Sequence, residues 1–407
     1  MPFEDYDIDV RCLKVLHSLG ITEPTPVQAL AIPIALKGVD LIATAQTGTG
    51  KTLGYSLPSM TRLAAERVRR NRMLVLVPTR ELAVQVETVM RHHAKALHLA
   101  TALVYGGVGM NEQAERLRKG VDVVVATPGR LLDHIGRGNA DFRSLEILVL
   151  DEADRMLDMG FLPDIKRIIA KLPRERQTMM FSATFAPELE RLAKDMLREP
   201  ERVTVGAVAM PVDTVRQLVV PVRQDDKSKM LLQIIEEEHM DQAIVFLRTK
   251  SRTDRVARFL KKEGHNAVPI HGDLSQSQRQ KALQGFREGK HEILVATDVA
   301  ARGLDIQEIS HVINYDVPEN PDDYVHRIGR TARAQREGDA ITFVTPADSA
   351  QLAAIEKTIG RNIPRKEYEG APPILSLYKG AGSPAAAKDT TSRSGVRRPG
   401  RSLLRRR

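Results

Sequence analysis

A glycine-rich loop that could bind phosphate groups follows the first apolar run of the sequence. The loop reads A-Q-T-G-T-G-K-T from Ala45 to Thr52, and the residues after it can form a helix. In such a loop the backbone N–H groups and the helix start bind phosphates, the lysine reaches the β and γ oxygens, and the last hydroxyl binds Mg²⁺. A plain glycine-rich turn before a helix is the alternative. The nucleotide-binding residues expected here are Thr47, Gly48, Thr49, Gly50, Lys51 and Thr52.

A pair of acidic residues ends a later apolar run. The run at 147–150 leads into Asp151 and Glu152, and the carboxyl ends of strands are where α/β sheets bind ligands. Because Mg²⁺ prefers carboxylate and water oxygens, we expect Asp151 to bind the metal with Thr52, while Glu152 orients or deprotonates an attacking water. The two acids could instead cap a helix. Combined with Lys51, they predict a Mg²⁺-dependent nucleoside triphosphatase.

Two series of apolar runs would position these residues. Short runs rich in β-branched residues, separated by helical patterns, indicate buried parallel strands covered by helices. The first series lies at 41–44, 73–77, 102–105, 121–126, 147–150 and 178–181, and the second at 243–247, 267–270, 293–297, 312–315 and 340–344. We therefore predict an α/β fold with domains at 1–205 and 215–367, a linker at 206–214 and a tail at 368–407.

Length and composition favour the same organisation. At 407 residues the chain exceeds what one hydrophobic core usually fills. No apolar run is long enough to span a bilayer, and the first residues lack the pattern of a signal peptide, so we expect a cytoplasmic protein with no membrane contact. The single cysteine, Cys12, excludes an intramolecular disulfide and a cysteine-cluster metal site.

The positive charge is concentrated at the end of the chain. The formal net charge is +9, but residues 388–407 contain eight Lys or Arg residues and one Asp, a net charge of +7. The high pI therefore describes the tail, and it does not show that the folded body is a basic nucleic-acid binder. Because the tail is also rich in Ser, Gly and Pro, we predict that it is disordered, either simply solvated or a nonspecific anchor for polyanions such as RNA.

A series of short motifs in a fixed order resembles the DEAD-box ATP-dependent RNA helicases from Phe3 to about residue 365. In chain order the motifs are G-I-T-E-P-T-P-V-Q at 20–28, the loop at 45–52, P-T-R-E-L-A at 78–83, G-G at 106–107, T-P-G-R at 127–130, D-E-A-D at 151–154, S-A-T at 182–184, I-V-F at 244–246, Q-S-Q-R at 276–279, A-T-D-V-A-A-R-G-L-D at 296–305 and H-R-I-G-R-T-A-R at 326–333. The resemblance implies two tandem RecA-like domains, each a mostly parallel sheet flanked by helices, that share one ATP site.

The resemblance also implies how both domains would contact ATP. Gln28 would recognise adenine, because an amide can both accept from N6 and donate to N7. Gly303 and Asp305 would meet the ribose when the domains close. Arg330 and Arg333 would be arginine fingers, and His326 would be catalytic beside them. The residues implied to couple the two domains are Ser182, Thr184 and Arg327.

RNA would be bound through its backbone. The implied contacts are hydroxyls, guanidinium groups, an amide and glycine-exposed backbone, which bind phosphates and 2′-hydroxyls without reading bases. They are Thr79, Arg80, Gly106, Gly107, Thr127, Gly129, Arg130, Thr249, Gln276, Arg279 and Thr297. ATP and RNA would then jointly close the domains and open a few base pairs locally, or remodel RNA–protein complexes, with RNA stimulating ATP hydrolysis.

Three residues depart from the pattern of the family. Ile21 stands where most members carry an aromatic residue that packs on adenine, and Ala45 and Ala332 stand where glycine is usual. Loss of the ring would weaken ATP binding by about 1 kcal/mol. Either alanine is costly if its backbone needs a positive φ.

Two other functions remain open at this point. An ATP-gated RNA clamp would use the same motifs with little unwinding, and a DNA translocase of the same superfamily is disfavoured by the D-E-A-D motif and Gln28. The E-P-T-P spelling at 23–26 and I-G-R-N-I-P at 359–364 resemble the bacterial RhlE-like subgroup. That resemblance implies ribosomal particles or RNA-degradation proteins as partners, and we expect a monomer.

Overall fold

The structure is a computed structural model in which residues 1–45, 48–66, 68, 70–205, 215–238, 240–301, 306, 309–331 and 338–368 are described. The predicted linker at 206–214 lies outside the described residues, and so does the predicted tail from residue 369 onward. No helix among the described residues is long and apolar enough to cross a membrane.

The first domain is a parallel sheet covered by helices. Its strands are β1 (Leu41–Thr44), β2 (Met73–Leu76), β3 (Thr101–Val104), β4 (Val123–Ala126), β5 (Ile147–Asp151), β6 (Gln177–Ser182) and β7 (Glu201–Thr204). Its helices are α1 (Val10–Ser18), α2 (Pro26–Leu36), α3 (Lys51–Ala64), α4 (Arg80–Leu97), α5 (Met110–Lys119), α6 (Pro128–Gly136), α7 (Ala153–Asp158), α8 (Leu162–Ile169) and α9 (Pro187–Met196). The strand order is β3-β4-β2-β5-β6-β1-β7.

The second domain repeats this architecture. Its strands are β8 (Val215–Pro221), β9 (Ala243–Leu247), β10 (Ala267–Ile270), β11 (Ile293–Thr297), β12 (His311–Asn314) and β13 (Gly338–Val344). Its helices are α10 (Lys227–Glu237), α11 (Lys250–Lys262), α12 (Gln276–Arg287), α13 (Asp298–Ala301), α14 (Pro321–Ile328) and α15 (Ser349–Ile359). The strand order is β10-β11-β9-β12-β13-β8, so that strands in corresponding chain positions occupy corresponding places in the two sheets.

Each sheet is buried on both faces, which confirms the predicted α/β fold. In the first domain one apolar cluster includes Leu41, Val75 and Phe181, and a second cluster on the opposite face includes Leu74 and Leu148. The second domain likewise has two clusters. Because neighbouring side chains on a strand point to opposite faces, uninterrupted apolar strands are needed to fill both layers.

The predicted strands of both series are present, and two described strands were not predicted. β7 is exposed at three of its four positions and carries two charged residues, so its sequence lacks an apolar run. β8 mixes Arg216 and Gln217 with apolar residues. Both strands lie at the end of their sheets, where only one neighbour is present and the apolar pattern of a central strand is not required.

Candidate functional site

The glycine-rich loop connects β1 to α3 at the carboxyl edge of the first sheet. Gly48 and Gly50 both have φ of 84°, and a Cβ on Gly50 would lie 2.4 Å from Nε2 of Gln28. Glycine is therefore required at position 50 by both conformation and space. Ala45 has no positive φ, so alanine costs nothing at that position. Thr47 lies outside the described residues.

Gln28 fixes the loop against the start of α2. Its side chain is buried, Nε2 donates to the carbonyl of Gly50 at 2.9 Å, and Oε1 accepts from the N–H of Thr25 at 2.9 Å. The hydroxyl of Thr25 also donates to the carbonyl of Thr49 at 2.7 Å. A primary amide has two donor hydrogens and two acceptor lone pairs, so each end of Gln28 retains one position for the expected adenine contact.

Lys51 and Asp151 face each other at this edge. Lys51 Nζ donates to the carbonyl of Ala45 at 3.0 Å. Asp151 is 3% exposed, and its burial raises the pKa of the carboxyl to about 6, although the charge of Lys51 opposes this shift. Oδ2 accepts a hydrogen bond from Tyr55, whereas Oδ1 is buried without a hydrogen-bond partner among the described residues. A buried carboxylate oxygen without a hydrogen-bond partner suits a hard cation such as Mg²⁺.

Glu152 has a strained backbone. Its φ of 54° and ψ of 51° are left-handed, a conformation that is uncommon for residues other than glycine. Its carboxylate forms an ion pair with Arg155 at 2.6 Å, and both side chains are buried. The strand-to-helix turn thus holds a buried carboxylate directly after Asp151, paired with Arg155.

Asp154 connects this turn to the end of β6. Its Oδ2 accepts hydrogen bonds from the backbone N–H groups of Ala183 and Thr184 at 3.0 and 2.8 Å, and the hydroxyl of Ser182 donates to the carbonyl of Thr184 at 2.6 Å. Burial alone would raise the pKa of Asp154, but the charge of Lys51 and these hydrogen bonds outweigh it, so that the pKa is lowered. The expected coupling residues Ser182 and Thr184 are therefore joined to the acidic motif.

The second domain brings α14 to the same place. His326 and Arg330 line a small cleft with Arg155 of the first domain. Burial lowers the pKa of His326, and the positive charge of Arg155 lowers it further. Gly303, Asp305 and Arg333 lie outside the described residues.

Arg327 departs from the expectation that it networks with Ser182 and Thr184. Its guanidinium forms a bidentate ion pair with Asp298 at 2.6 Å and donates to Oδ1 of Asn314 at 3.0 Å. These partners all lie in the second domain. A buried guanidinium needs several acceptors, and here strand ends of its own sheet supply them. Arg327 therefore stabilises the base of α14, and its hydrogen bonds among the described residues do not reach Ser182 or Thr184.

The expected RNA-binding residues of the first domain cluster after β2, β3 and β4. Thr79 begins α4, where its Oγ1 accepts from the N–H of Leu82 at 3.2 Å, and Thr127 begins α6. Gly107 has φ of 85°, and a Cβ there would lie 2.2 Å from Nη1 of Arg80. Arg130 donates to the carbonyl of Val108 at 3.0 Å. No atom lies within 4 Å of a Cβ built on Gly129, among the described residues, so its backbone is accessible.

The corresponding residues of the second domain divide into two groups. Thr249 at the start of α11 is exposed, and Thr297 ends β11. Gln276 and Arg279 instead contact Glu81 of the first domain, at 3.2 and 3.0 Å. Glu81 is 6% exposed. These two residues were expected along the RNA, but the structure places them in the contact between the domains.

The two sets of residues occupy different halves of each sheet edge. In the first sheet the nucleotide set follows β1, β5 and β6, whereas the RNA set follows β2, β3 and β4. In the second sheet the RNA set follows β9, β10 and β11, whereas His326 and Arg330 follow β12. Sequence reasoning missed Tyr55 and Arg155, and it did not assign Glu81 a role although Glu81 lies inside a quoted motif.

The sequence matches two known families along most of its length. Residues 25–192 match the family described as DEAD/DEAH box helicase, and residues 226–335 match the helicase conserved C-terminal domain. The DEAD-box ATP-dependent RNA helicase CshA of Geobacillus kaustophilus is 43% identical over 92% of this chain and 79% of its own. The protein of the same name from Bacillus subtilis is 42% identical over 89% of this chain and 73% of its own. None of these names confirms the RhlE-like subgroup.

Two solved structures are similar to this chain over most of its length. Dbp5 of S. cerevisiae bound to RNA and ADP BeF3 is 32% identical over 90% of this chain and 95% of its own, with a TM-score of 0.79. A DEAD box protein from Methanococcus jannaschii is 34% identical over 90% of this chain and 99% of its own, with a TM-score of 0.51.

Proposed function

The chain belongs to the DEAD-box ATP-dependent RNA helicases, and on that premise we propose how its two sheets use ATP to grip RNA. The protein is an ATP-dependent RNA helicase with two RecA-like domains. We assign the domains to residues 1–205 and 215–367. The observation that carries the proposal is the division of both facing sheet edges into a nucleotide half and an RNA half.

In the nucleotide half, the loop of residues 45–52 would bind the phosphates, and Gln28 would hold adenine. Mg²⁺, when bound, would neutralise phosphate charge and orient the terminal phosphate, with Thr52 and Asp151 as its protein ligands. Glu152 would accept a proton from the attacking water, as its position directly after Asp151 at the end of β5 supports. Arg330 would stabilise the negative charge that develops on the phosphoryl group, and so would Arg333 by family resemblance.

In the RNA half, backbone contacts would hold the strand without reading its bases. Arg80 and Arg130 would bind phosphates, and Thr79, Thr127 and Thr249 would bind phosphate or 2′-hydroxyl oxygens. Since the grip needs residues from both domains, RNA binds best when the domains are together. ATP favours the same arrangement because Arg330 reaches it from the second domain. Two ligands that favour one conformation must strengthen each other's binding.

The similarity to Dbp5 bound to RNA and ADP BeF3, with a TM-score of 0.79 over 90% of this chain, supports this coupling. Closure would bend the bound strand away from duplex geometry and open a few base pairs, and hydrolysis would then release it. A clamp without unwinding remains the second candidate, because the same grip would serve it. We also propose that the protein is a monomer and that it acts in the cytoplasm, where ATP and RNA are both available. Its proposed partners are ribosomal particles or RNA-degradation proteins.

The coupling is tested by ATP hydrolysis with and without single-stranded RNA. Wild-type protein should hydrolyse ATP faster with saturating RNA, and only when Mg²⁺ is present. Glu152→Gln should lower turnover by about 10²- to 10⁴-fold while retaining ATP and RNA in a long-lived complex. Glu188→Gln, an exposed residue in the first turn of α9, is the matched control and should behave as wild type. An ATPase rate that does not change with RNA would contradict the proposal.

Strand displacement separates the remaining functions. The assay compares short RNA, RNA–DNA and DNA duplexes, each with and without ATP. A helicase displaces strands from the duplexes that contain RNA, whereas a clamp retains RNA without displacement and a DNA translocase acts on DNA. RNA recovered from cells on the Glu152→Gln protein would identify the natural substrate.

A further inference from the structure

Tyr55 is a buried phenol in direct contact with the acidic strand end. It lies one turn after Lys51 on α3, it is fully buried, and its hydroxyl donates to Oδ2 of Asp151 at 2.9 Å. The hydroxyl therefore contacts one of the side chains that would bind Mg²⁺.

The position of this hydroxyl is fixed by packing. The ring of Tyr55 lies against Phe181 of β6, with ring centroids 5.1 Å apart and an angle of 57° between the planes. Phe181 is itself fully buried. A buried aromatic ring held by a helix and a neighbouring strand has little rotational freedom. The hydroxyl is thus a rigid donor at the base of the loop.

The two oxygens of Asp151 consequently differ. Oδ2 is occupied by Tyr55, whereas Oδ1 is buried and has no hydrogen-bond partner among the described residues. A carboxylate free at both oxygens can rotate about its terminal torsion, which has broad minima. Holding one oxygen removes that freedom and leaves the other directed for coordination, as outer-shell hydrogen bonds do for metal ligands in general.

We propose that Tyr55 is a positioning residue that orients Asp151, and through it the magnesium bound with ATP. This inference rests on the proposed function, because it concerns the same metal site. Tyr55 is fully buried, and it acts through Asp151. Its effect should therefore depend on magnesium and not on nucleotide binding as such.

The test measures binding of a fluorescent, non-hydrolysable ATP analogue in EDTA and at increasing MgCl₂. Tyr55→Phe removes the hydroxyl but keeps the ring and its contact with Phe181. In EDTA the variant should bind the analogue as wild type does. MgCl₂ should increase the affinity for the analogue in both proteins. The MgCl₂ concentration that gives half of this increase should be roughly tenfold higher in the variant than in wild type, because a hydrogen bond to a charged group is lost.

Tyr324→Phe is the matched control. Tyr324 is also fully buried, and its hydroxyl donates to Oε1 of Gln217 at 2.9 Å in the second domain. The substitution Tyr324→Phe also removes a buried phenol hydroxyl, but in the second domain. The MgCl₂ concentration that gives half of the increase in affinity, the magnesium midpoint, should therefore equal that of wild type. Equal midpoints for Tyr55→Phe and wild type would overturn the inference and leave the ATP site standing. Absence of any magnesium effect in wild type would overturn the proposed metal site itself.

A double-mutant cycle with Asp151→Asn distinguishes an effect of Tyr55 through the Asp151 carboxylate from an unrelated effect of the Tyr55 substitution on the protein. If Tyr55 acts through the carboxylate, Tyr55→Phe should have no further effect on magnesium dependence once Asp151 is an amide. Independent, additive effects of the two changes would show that the phenol acts by another route and would overturn the inference. Thermal unfolding of each variant in EDTA verifies that the compared proteins are folded.

Discussion

His93 shows how one buried residue can tie stability to pH. It lies on α4, its side chain is fully buried, and neither ring nitrogen has a hydrogen-bond partner among the described residues. Burial lowers the pKa of His93 to about 4, and the charge of His92 adds to this effect. An imidazole in apolar surroundings must remain neutral, because its charged form would lose hydration without gaining a partner.

We predict that His93→Leu stabilises the protein, most strongly at mildly acidic pH. Above the ordinary pKa of about 6.5, His93 is neutral in both folded and unfolded chains. As the pH falls below about 6.5, His93 is protonated in the unfolded chain, whereas in the folded chain it stays neutral until the pH approaches about 4. The free energy of unfolding therefore decreases between these two pH values. The penalty reaches roughly 3 kcal/mol at pH 4. At pH 7 the gain from removing unpaired polar atoms is about 1 kcal/mol.

Urea denaturation at pH 7.5, 6 and 5 measures this difference. The stability gained in His93→Leu should increase as the pH is lowered. His92→Leu changes the exposed neighbouring histidine, whose charge is the smaller cause of the lowered pKa of His93, and should retain most of the wild-type dependence. A constant difference between His93→Leu and wild type would mean that His93 takes up its proton without cost in the folded protein.

The residues expected to bind phosphates and metal can be recognised in the sequence, but their supporting partners cannot. Lys51 and Asp151 follow strand ends in recognisable patterns, and the structure places them together. Tyr55 resembles any core aromatic residue of a helix, and its contact with Asp151 spans 96 positions of sequence. Only the packing of α3 on β5 and β6 gives its hydroxyl a role.

At the scale of elements, central strands are more predictable than edge strands. A central parallel strand must be apolar on both faces, which produces a continuous run in the sequence. β7, with only Val203 buried, lacks such a run. The predicted strands define the central part of each sheet, and their carboxyl ends carry the candidate site, so the site could be located without the edges.

The turn after β3 shows how an element positions a side chain. Gly106 and Gly107 pass directly over the guanidinium of Arg80, and Gly107 has a positive φ. We predict that Gly107→Ala destabilises this turn by about 1 kcal/mol and displaces Arg80. Affinity for single-stranded RNA should fall about tenfold, as expected for loss of a charge-assisted contact, and the affinity for ATP alone should not change.

Gly109→Ala is the matched control for this prediction. Gly109 lies two residues later, and a Cβ there has no described atom within 4 Å. Fluorescence anisotropy with labelled RNA compares the two variants at one salt concentration, because phosphate contacts depend on salt. Equal losses in both would mean that the turn itself contacts RNA and that Arg80 does not.

At the scale of the whole molecule, the two sheets share one strand order and meet at their carboxyl edges. The similarity of the two series of strands could be read from sequence, but the contact between the domains could not. Gln276 and Arg279 have the side-chain chemistry of RNA contacts, and nothing in their spacing indicates Glu81 as a partner. That pairing depends on the relative position of the domains, which no local pattern specifies.

Glu81 is therefore predicted to stabilise the closed arrangement. Its carboxylate is buried between Gln276 and Arg279. Glu81→Gln removes the charge that pairs with Arg279, and a buried guanidinium without a counterion is costly. We expect RNA affinity in the presence of the ATP analogue to fall roughly 5- to 100-fold, the usual range of coupling between ligands, with a smaller change in its absence.

Energy transfer between dyes on the two domains would measure closure directly. Dyes can be placed on cysteines introduced at Lys194 and Lys262, both exposed, because native Cys12 is fully buried and its burial raises the pKa of the thiol to about 12. Glu87→Gln is the control, because Glu87 is also a buried residue of α4 and its carboxylate accepts a hydrogen bond from Thr101 within the first domain. Closure should weaken in Glu81→Gln, remain in Glu87→Gln and return when Glu81→Arg is combined with Arg279→Glu. Closure that is unaffected by Glu81→Gln would show that ATP and RNA hold the domains together without this contact.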